Sequence, residues 1–276
     1  MTDGLRESIA AAQATWNRKA VGSQRASASA GTPEYFEQIR DYRYGYETPF
    51  IPTFIDFPSL NGRKVLEIGV GHGIDGAEMA RHGALYTGID VTQNHLSLAE
   101  KNFQLNGLSG KFIEGDLLET NPGHDFDAVY SFGVMHHISA EAEYLARVRE
   151  VLNPTGRLMI AVYSKWSMFN AFMVTSWLLK GRGRSLDDWR SQVAEHSEPG
   201  HPVTIKIRSR REVQSLLESR GFRVEKYGKK GFVQNYLPVV GKQLAPDGRV
   251  LDAFASALGW YHCFVCQVTP SGNQKT

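Results

Sequence analysis

Short apolar runs alternate with helix-like segments along most of the chain after Arg63. The apolar runs predict seven β-strands, at residues 64–68, 85–89, 111–114, 126–130, 157–163, 222–227 and 261–268. Apolar residues at helical spacing predict four helices between them, at residues 74–81, 93–104, 140–152 and 210–220. This alternation indicates an α/β fold with a doubly wound, mostly parallel sheet. No ordinary crossover helix separates the last two strands, so we expect the last strand to be antiparallel.

Residues at the ends of the predicted helices support these boundaries. Thr92 and Ser139 stand where an N-cap side chain would accept a backbone N–H bond. Ser209 and Glu212 have the spacing of a capping box. Gly83 stands where a residue in the left-handed conformation ends a helix.

Three parts of the chain lie outside the alternating pattern. Residues 1–58 predict an N-terminal arm with an aromatic cap, in which the Ser-, Ala- and Gly-rich segment 22–32 is expected to be a flexible linker. Residues 59–270 form the predicted main domain, interrupted by insertions at 165–208 and 231–258. Insertions of this length in a compact α/β domain are usually lids or binding loops.

Composition and charge exclude several classes of protein. The chain has 276 residues, a net charge of +2 and two cysteines, so we expect neither a disulfide framework nor a nucleic-acid-binding protein. The cysteines, Cys263 and Cys266, fall on opposite faces of a predicted strand, which indicates structural roles. Residues 1–20 contain no continuous apolar segment typical of a secretory signal, and residues 166–179 are too short to span a bilayer. A cytoplasmic protein is therefore expected.

The strongest local motif is a glycine-rich turn between the first predicted strand and the helix after it. It runs Glu67-Ile68-Gly69-Val70-Gly71-His72-Gly73. Glycines allow a sharp turn and let a ligand approach the backbone closely. Asp90 ends the second strand, where an acid can bind ribose hydroxyls. Both features suit a dinucleotide or S-adenosylmethionine (SAM), so the turn alone leaves the cofactor open.

Five motifs in order, over residues 63–163, resemble the core of the seven-stranded, class I SAM-dependent methyltransferases. Besides the glycine turn and Asp90 they are Glu114-Gly115-Asp116-Leu117, Phe126-Asp127-Ala128-Val129-Tyr130-Ser131 with the Gly133 to Ile138 segment, and the turn Asn153-Pro154-Thr155-Gly156. The resemblance implies a Rossmann-like fold and SAM as the cofactor.

The resemblance also implies roles for individual residues. The backbone of Gly69, Gly71 and Gly73 would lie along the methionine part of SAM, and Glu67 would help to order that turn or reach the amino group through water. Asp90 would bind the ribose hydroxyls. The remaining positions, Val91, Asp116, Leu117 and Ser131, would flank the adenine or face the methyl-transfer region.

Candidates for the chemistry lie outside the cofactor motifs. His136 and His137 follow the fourth strand, and either could accept a proton from the methyl acceptor or could pack structurally. Tyr44, in the aromatic arm beside Arg43, could close the pocket and contact the cofactor, or could simply pack on the core. Residues 166–179 could roof an apolar acceptor pocket, pack, or contact a membrane surface. The histidines show no metal-ligand spacing, so we expect no metal site.

These observations predict an enzyme that moves a methyl group from SAM to an O, N, S or C nucleophile of a small, apolar or aromatic metabolite. An NAD(P)-dependent oxidoreductase and a non-catalytic SAM-binding module are the alternatives. The sequence leaves open whether the protein forms a homodimer. Direct displacement on an activated methyl group needs mainly orientation and a dry site, which explains the absence of an obligatory catalytic triad.

Overall fold

The computed structural model describes residues 3–18, 20–233 and 249–269, and its centre is a seven-stranded sheet. The strands are β1 (Lys64–Ile68), β2 (Leu85–Asp90), β3 (Lys111–Glu114), β4 (Phe126–Phe132), β5 (Leu152–Tyr163), β6 (Phe222–Lys230) and β7 (Tyr261–Val268). Their order across the sheet is β3-β2-β1-β4-β5-β7-β6. All seven predicted strands are confirmed, with changes only at their ends.

The directions of the central strands determine where a ligand site lies in this fold. β1 pairs in parallel with both β2 and β4, so the chain leaves their adjacent carboxyl ends in opposite directions across the sheet. Ligands of open α/β sheets bind at such a switch point. β7 is antiparallel to both β5 and β6, which confirms the predicted antiparallel last strand.

Helices cover both faces of the sheet. They are α1 (Asp3–Arg18), α2 (Pro33–Tyr42), α3 (Ile51–Phe54), α4 (Ile74–Arg81), α5 (Gln93–Leu105), α6 (Glu141–Val151), α7 (Met168–Lys180), α8 (Leu186–Glu195), α9 (Arg210–Ser219) and α10 (Arg249–Leu258). One hydrophobic core lies between the sheet and α6 and α9, and a second lies between the sheet and α3 and α4.

The predicted helix caps have mixed outcomes. The Ser209–Glu212 capping box is present, and Gly83 follows α4 with a φ of 89°. Ser139 was the wrong cap for α6: the N-cap is Ala140, which supplies no side-chain bond. Thr92 is at the N-cap of α5, but its hydroxyl donates to Asp90 rather than capping the helix, because the acid at the end of β2 is 2.6 Å away.

The N-terminal arm is more ordered than its composition suggests. Helix α1, which the sequence reading did not predict, lies across the start of α5. The expected flexible linker at 22–32 contains a 3-10 turn at Ser23–Arg25, and Ala26 and Ala28 pack against a core cluster that includes residues of α2. A π-helical turn, Arg43–Glu47, follows α2.

The insertion at 165–208 consists of helices α7 and α8 and an extended return segment. The return segment docks on the main domain through Lys206 and Arg208, whose side chains both bond to Glu141. In the second insertion, residues 234–248 lie outside the described part of the chain, and α10 follows them. Across the described ranges, no helix is both long and apolar enough to cross a membrane.

Candidate functional site

A cavity of about 610 Å³ lies at the switch point, beyond the carboxyl ends of β1, β2 and β4. The glycine turn forms its floor, and the arm and the 165–208 insertion contribute to its walls. Of the residues predicted to bind the cofactor, those that line it are Glu67, Gly69, Gly71, Asp90, Val91, Asp116 and Leu117. The fold therefore brings most of the predicted cofactor residues to one place.

The glycines of the turn are required for different reasons. Gly69 has a φ of 80°, and a Cβ there would lie 2.4 Å from Val134. Gly73 has a φ of 67°, and a Cβ there would lie 2.8 Å from Ala99, so it permits close packing of α5 rather than contact with the cavity. Gly71 also has a positive φ, but a Cβ there would meet no atom within 4 Å. Gly71 thus leaves open space at the floor of the cavity.

Asp90 is buried at the end of β2 and organises the loop around it. Its Oδ1 accepts bonds from the backbone N–H and hydroxyl of Thr92, at 2.9 and 2.6 Å. Its Oδ2 lies 3.2 Å from His95 Nδ1 and accepts a long bond, 3.5 Å, from the Gly71 N–H. Burial acts to raise the pKa of Asp90, but His95 and the Thr92 bonds outweigh it and lower the pKa. The carboxylate is therefore ionised and faces the cavity.

Asp116 has an acceptor atom that the protein leaves unused. Its Oδ1 accepts the backbone N–H of Leu118 at 3.0 Å, whereas its buried Oδ2 has no hydrogen-bond partner. Burial raises the pKa of Asp116 above its ordinary value. A buried unpaired acceptor costs stability unless a ligand satisfies it. Asp116 is therefore a candidate contact for a hydrogen-bond donor on a bound molecule.

Glu67 is held in place by a tyrosine. The Tyr86 hydroxyl donates to Glu67 Oε2 at 2.5 Å, beneath the glycine turn. Burial raises the pKa of Glu67 well above its ordinary value, and the nearby Asp75 acts in the same direction. Glu67 thus supports the turn from below while it lines the cavity.

The aromatic arm is attached to the domain through a buried carboxylate. Asp75, in the first turn of α4, accepts bonds from Arg43, from the Tyr44 hydroxyl at 2.8 Å and from the Tyr130 hydroxyl at 2.7 Å. Arg43 lines the cavity, as does Tyr42, whereas Tyr44 does not. Tyr44 is therefore placed behind the wall, where it supports the arm, instead of in contact with a cofactor.

Helix α1 supplies one wall of the cavity. Gln13 Nε2 donates to the carbonyl of Val91 at 2.9 Å, which fixes α1 beside the end of β2. The Trp16 ring is stacked against the His95 ring, with centroids 6.3 Å apart, and meets the His137 ring edge-on, with centroids 5.2 Å apart. Helix α1 was not predicted from the sequence, although apolar residues recur there at helical spacing: Leu5, Ile9, Ala12 and Trp16.

Ser131, the last predicted cofactor residue, does not line the cavity. Its hydroxyl lies 2.8 Å from that of Tyr144 on α6. Side chains alternate along a strand, so the neighbouring Phe132, and Gly133 after it, line the cavity instead. Ser131 supports the wall through Tyr144, which is itself a lining residue.

The two candidate catalytic histidines have different surroundings. His137 lines the cavity, and its Nδ1 lies 2.7 Å from the carbonyl of Thr204. His136 lies behind it, 1% exposed, and neither of its ring nitrogens has a hydrogen-bond partner. Burial and, to a smaller extent, His137 lower the pKa of His136 well below its ordinary value. Of the two, only His137 is placed to touch a substrate.

Aromatic rings surround the end of the cavity beside His137. Tyr163 stacks on His136 and on Trp260, with centroids 3.6 and 4.1 Å apart. Phe169 from α7 meets Trp260 edge-on, and Tyr261 packs against Phe132. The insertion at 165–208 thus contributes Phe169 to this end of the cavity, while Phe172, Leu178 and Leu179 of the same helix are exposed.

Comparison with known proteins agrees with this geometry. Residues 65–156 match the family model described as a methyltransferase domain. The chain is 30% identical over 142 residues to the ubiquinone biosynthesis O-methyltransferase of Neisseria meningitidis serogroup C, in a match that covers 49% of this chain and 59% of that protein. The chain spans about half the length of the curated relatives it matches.

Solved structures share the fold. Magnesium protoporphyrin IX methyltransferase from Synechocystis PCC 6803, solved with bound SAH, has a TM-score of 0.61 at 13% identity, with 95% of this chain and 100% of that chain covered. A [4+2]-cyclase has a TM-score of 0.52 at 14% identity, with 98% and 95% covered. The fold alone therefore does not specify the reaction.

Proposed function

We propose that this protein belongs to the class I SAM-dependent methyltransferases, binds S-adenosyl-L-methionine and moves its methyl group to a nucleophile of a small metabolite. The observation that carries the proposal is the unpaired, buried Asp116 Oδ2 in the same cavity as Asp90 and the open Gly71 position. An acceptor for an adenine amine, an acid for ribose hydroxyls and room beside a backbone turn together fit this cofactor.

The residues of this chain would hold the cofactor along its whole length. Asp116 Oδ2 would accept the adenine amine, with Val91 and Leu117 on either side of the ring. Asp90 would accept the ribose hydroxyls, and the turn from Gly69 to Gly73, supported by Glu67, would lie along the methionine part.

When bound, SAM supplies a methyl group on a positively charged sulfur, already activated for in-line displacement. The carboxylates of Asp90, Asp116 and Glu47 line the same cavity as the guanidinium groups of Arg18, Arg25 and Arg43, which suits a ligand that carries charges of both signs. Trp16 and the rings around Tyr163 exclude water from the acceptor end. In the transfer, a bond forms from the acceptor to the methyl carbon, the carbon–sulfur bond breaks with its electron pair going to sulfur, and any acceptor proton leaves to a base or to water.

We place the acceptor at the aromatic end of the cavity. Phe169, Tyr261 and Trp260 present ring faces and edges there, which suits a flat, apolar or aromatic acceptor. His137 is the residue that we propose as the base when the acceptor must lose a proton and no ion is bound to its Nε2 atom. The name of the Neisseria relative favours an oxygen acceptor among the alternatives.

The test is a screen for S-adenosylhomocysteine (SAH) release with phenols, alcohols, amines, thiols and carboxylates of up to three rings. We expect turnover with at least one phenol or alcohol class, and a methyl ether as the product. SAH binding without turnover across the panel would favour the non-catalytic module. Binding of NAD(H) in place of SAH would favour the oxidoreductase. The cytoplasmic location, the homodimer and the absence of a nucleic-acid partner stay predictions.

A further inference from the structure

Three side chains from two distant parts of the chain meet at the aromatic end of the cavity. His136 and His137 lie in the 3-10 turn Met135–His137 after β4, and Glu195 ends α8 in the 165–208 insertion. One ligand atom from each of the three residues lies within 4.8 Å of the others. The side chains of His137 and Glu195 are 6% and 4% exposed, and His136 is 1% exposed. Sequence spacing could not reveal this group because Glu195 is contributed by the insertion.

The position of the proton on the His137 ring determines whether the Nε2 atom donates or accepts toward Glu195. A carbonyl oxygen can only accept, so the 2.7 Å contact with Thr204 requires the proton on His137 Nδ1. In neutral His137 the lone pair is then on Nε2, which lies 3.7 Å from Glu195 Oε1. Two acceptor atoms then face each other across this gap, as two ligands of one cation do. A backbone carbonyl on the other ring nitrogen is also the usual support of a metal-binding histidine.

The distances suit a metal ion. Zinc–nitrogen and zinc–oxygen bonds of about 2.0–2.2 Å in tetrahedral geometry put ligand atoms about 3.3–3.5 Å apart. The observed 3.7 Å is close to that separation. His136 adds a third donor, since it is buried with no partner on either ring nitrogen. The Tyr163 hydroxyl donates to Glu195 Oε1 at 2.8 Å and holds the carboxylate in position from outside the group.

We propose that His136, His137 and Glu195 bind a divalent transition-metal ion, with Zn²⁺ as the best fit to two imidazoles and one carboxylate. Two of these residues, His137 and Glu195, line the cavity. The remaining coordination positions of the ion therefore face the space that we assign to the acceptor. An oxygen or nitrogen atom of the acceptor would occupy them and be oriented for methyl transfer. His137 then acts as a ligand and not as the base, because the lone pair of its Nε2 atom is bound to the ion. This role rests on the proposed function, whereas metal binding itself does not.

The experiment titrates Co²⁺ and then Zn²⁺ into the full-length protein after EDTA treatment and removal of the chelator. We expect one equivalent of Co²⁺ to produce visible d–d absorption bands, and Zn²⁺ to displace it. Excess Zn²⁺ should raise the thermal midpoint by about 5 °C or more, because ligand binding stabilises the folded state by mass action. SAH binding, measured by calorimetry on the same metal-free sample, reports on the cofactor site separately.

Variants identify the ligands. Glu195→Gln and His137→Asn should each weaken Co²⁺ binding by more than about tenfold, since even supporting residues of a metal site contribute 10- to 100-fold. His196→Asn is the matched control: His196 also lines the cavity but is outside the group, and asparagine tolerates its φ of 57°. Circular dichroism and the thermal midpoint without metal verify that each variant is folded. His136 is not varied alone, because it is stacked in the core.

Two results would overturn the proposal. The first is wild-type protein that shows no Co²⁺ bands and no Zn²⁺ stabilisation at millimolar metal. The second is wild-type binding that Glu195→Gln leaves unchanged. In either case the group formed by His136, His137 and Glu195 is not a metal site. If SAH still binds to the metal-free protein, the proposed function survives; if neither SAH nor metal binds, both proposals fail.

Discussion

Replacing Asp116 with asparagine tests the cofactor site directly. The change converts one side-chain acceptor, Oδ2, into a donor and keeps the other acceptor in place. The asparagine oxygen can still accept the backbone N–H of Leu118, which Oδ1 accepts at 3.0 Å. The amide NH₂ would take the place of Oδ2, the buried atom without a partner. A donor would then face the adenine amine, which is also a donor.

The size of the effect on SAH binding follows from the hydrogen bond that the substitution removes. A hydrogen bond to a charged acceptor contributes about 1.5–3 kcal/mol, so its loss should weaken SAH binding by roughly 10- to 150-fold. The free energy of unfolding in the absence of ligand should stay within about 0.5 kcal/mol of the wild-type value or rise, since burial disfavours the charged carboxylate. Urea unfolding without ligand measures this second quantity.

Calorimetry with two ligands separates the hydrogen bond from a general disturbance of the site. S-inosylhomocysteine carries an acceptor oxygen where SAH carries the amine. It should bind wild-type protein weakly, and Asp116→Asn should bind it at least as well as it binds SAH. The reasoning is refuted if Asp116→Asn binds SAH with wild-type affinity, or if both ligands lose affinity equally.

Three further predictions concern the surroundings of the cavity. His72 has a pKa lowered to about 3 by burial, below its value of about 6.5 in the unfolded chain, so the free energy of unfolding falls as pH drops between these values. His72→Gln should reduce this slope by up to about 1.4 kcal/mol per pH unit in urea titrations at pH 4–6; an identical slope would contradict it. Trp16→Ala should accelerate SAH dissociation by about tenfold in stopped-flow measurements, while Trp16→Phe stays near wild type. Arg43→Met should destabilise the protein by about 3 kcal/mol because Asp75 is left as a buried charge, and adding Asp75→Asn should recover part of that loss; no recovery would argue against the pairing.

The sheet could be predicted from the sequence because its strands are nearly continuous apolar runs bounded by turns. β1 and β4 are almost entirely buried, and the glycine turn after β1 marks the switch point directly. The positions of Asp90 and Asp116 followed from their places at the ends of neighbouring strands. The local sequence pattern was therefore sufficient to place those residues whose position in the cavity follows from their position at the end of a strand.

Contacts between distant segments could not be predicted in this way. Ser131 and Tyr44 were expected in the cavity, but the alternation of β4 and the bond of Tyr44 to Asp75 place both behind its wall. Trp16 and Glu195 belong to segments with no shared motif, and only the folded chain brings them next to His137. The acceptor end of the site is built from such contacts, which is why the sequence pointed to the cofactor more clearly than to the acceptor.

The most direct test of the central claim is calorimetric titration of the purified protein with SAH and, separately, with NAD⁺ and NADH. Saturable binding of SAH at one site per chain, with no binding of either nicotinamide cofactor, is the predicted result. Saturable binding of NAD⁺ or NADH, with no heat on addition of SAH or SAM, would contradict the assignment of the cavity to S-adenosyl-L-methionine.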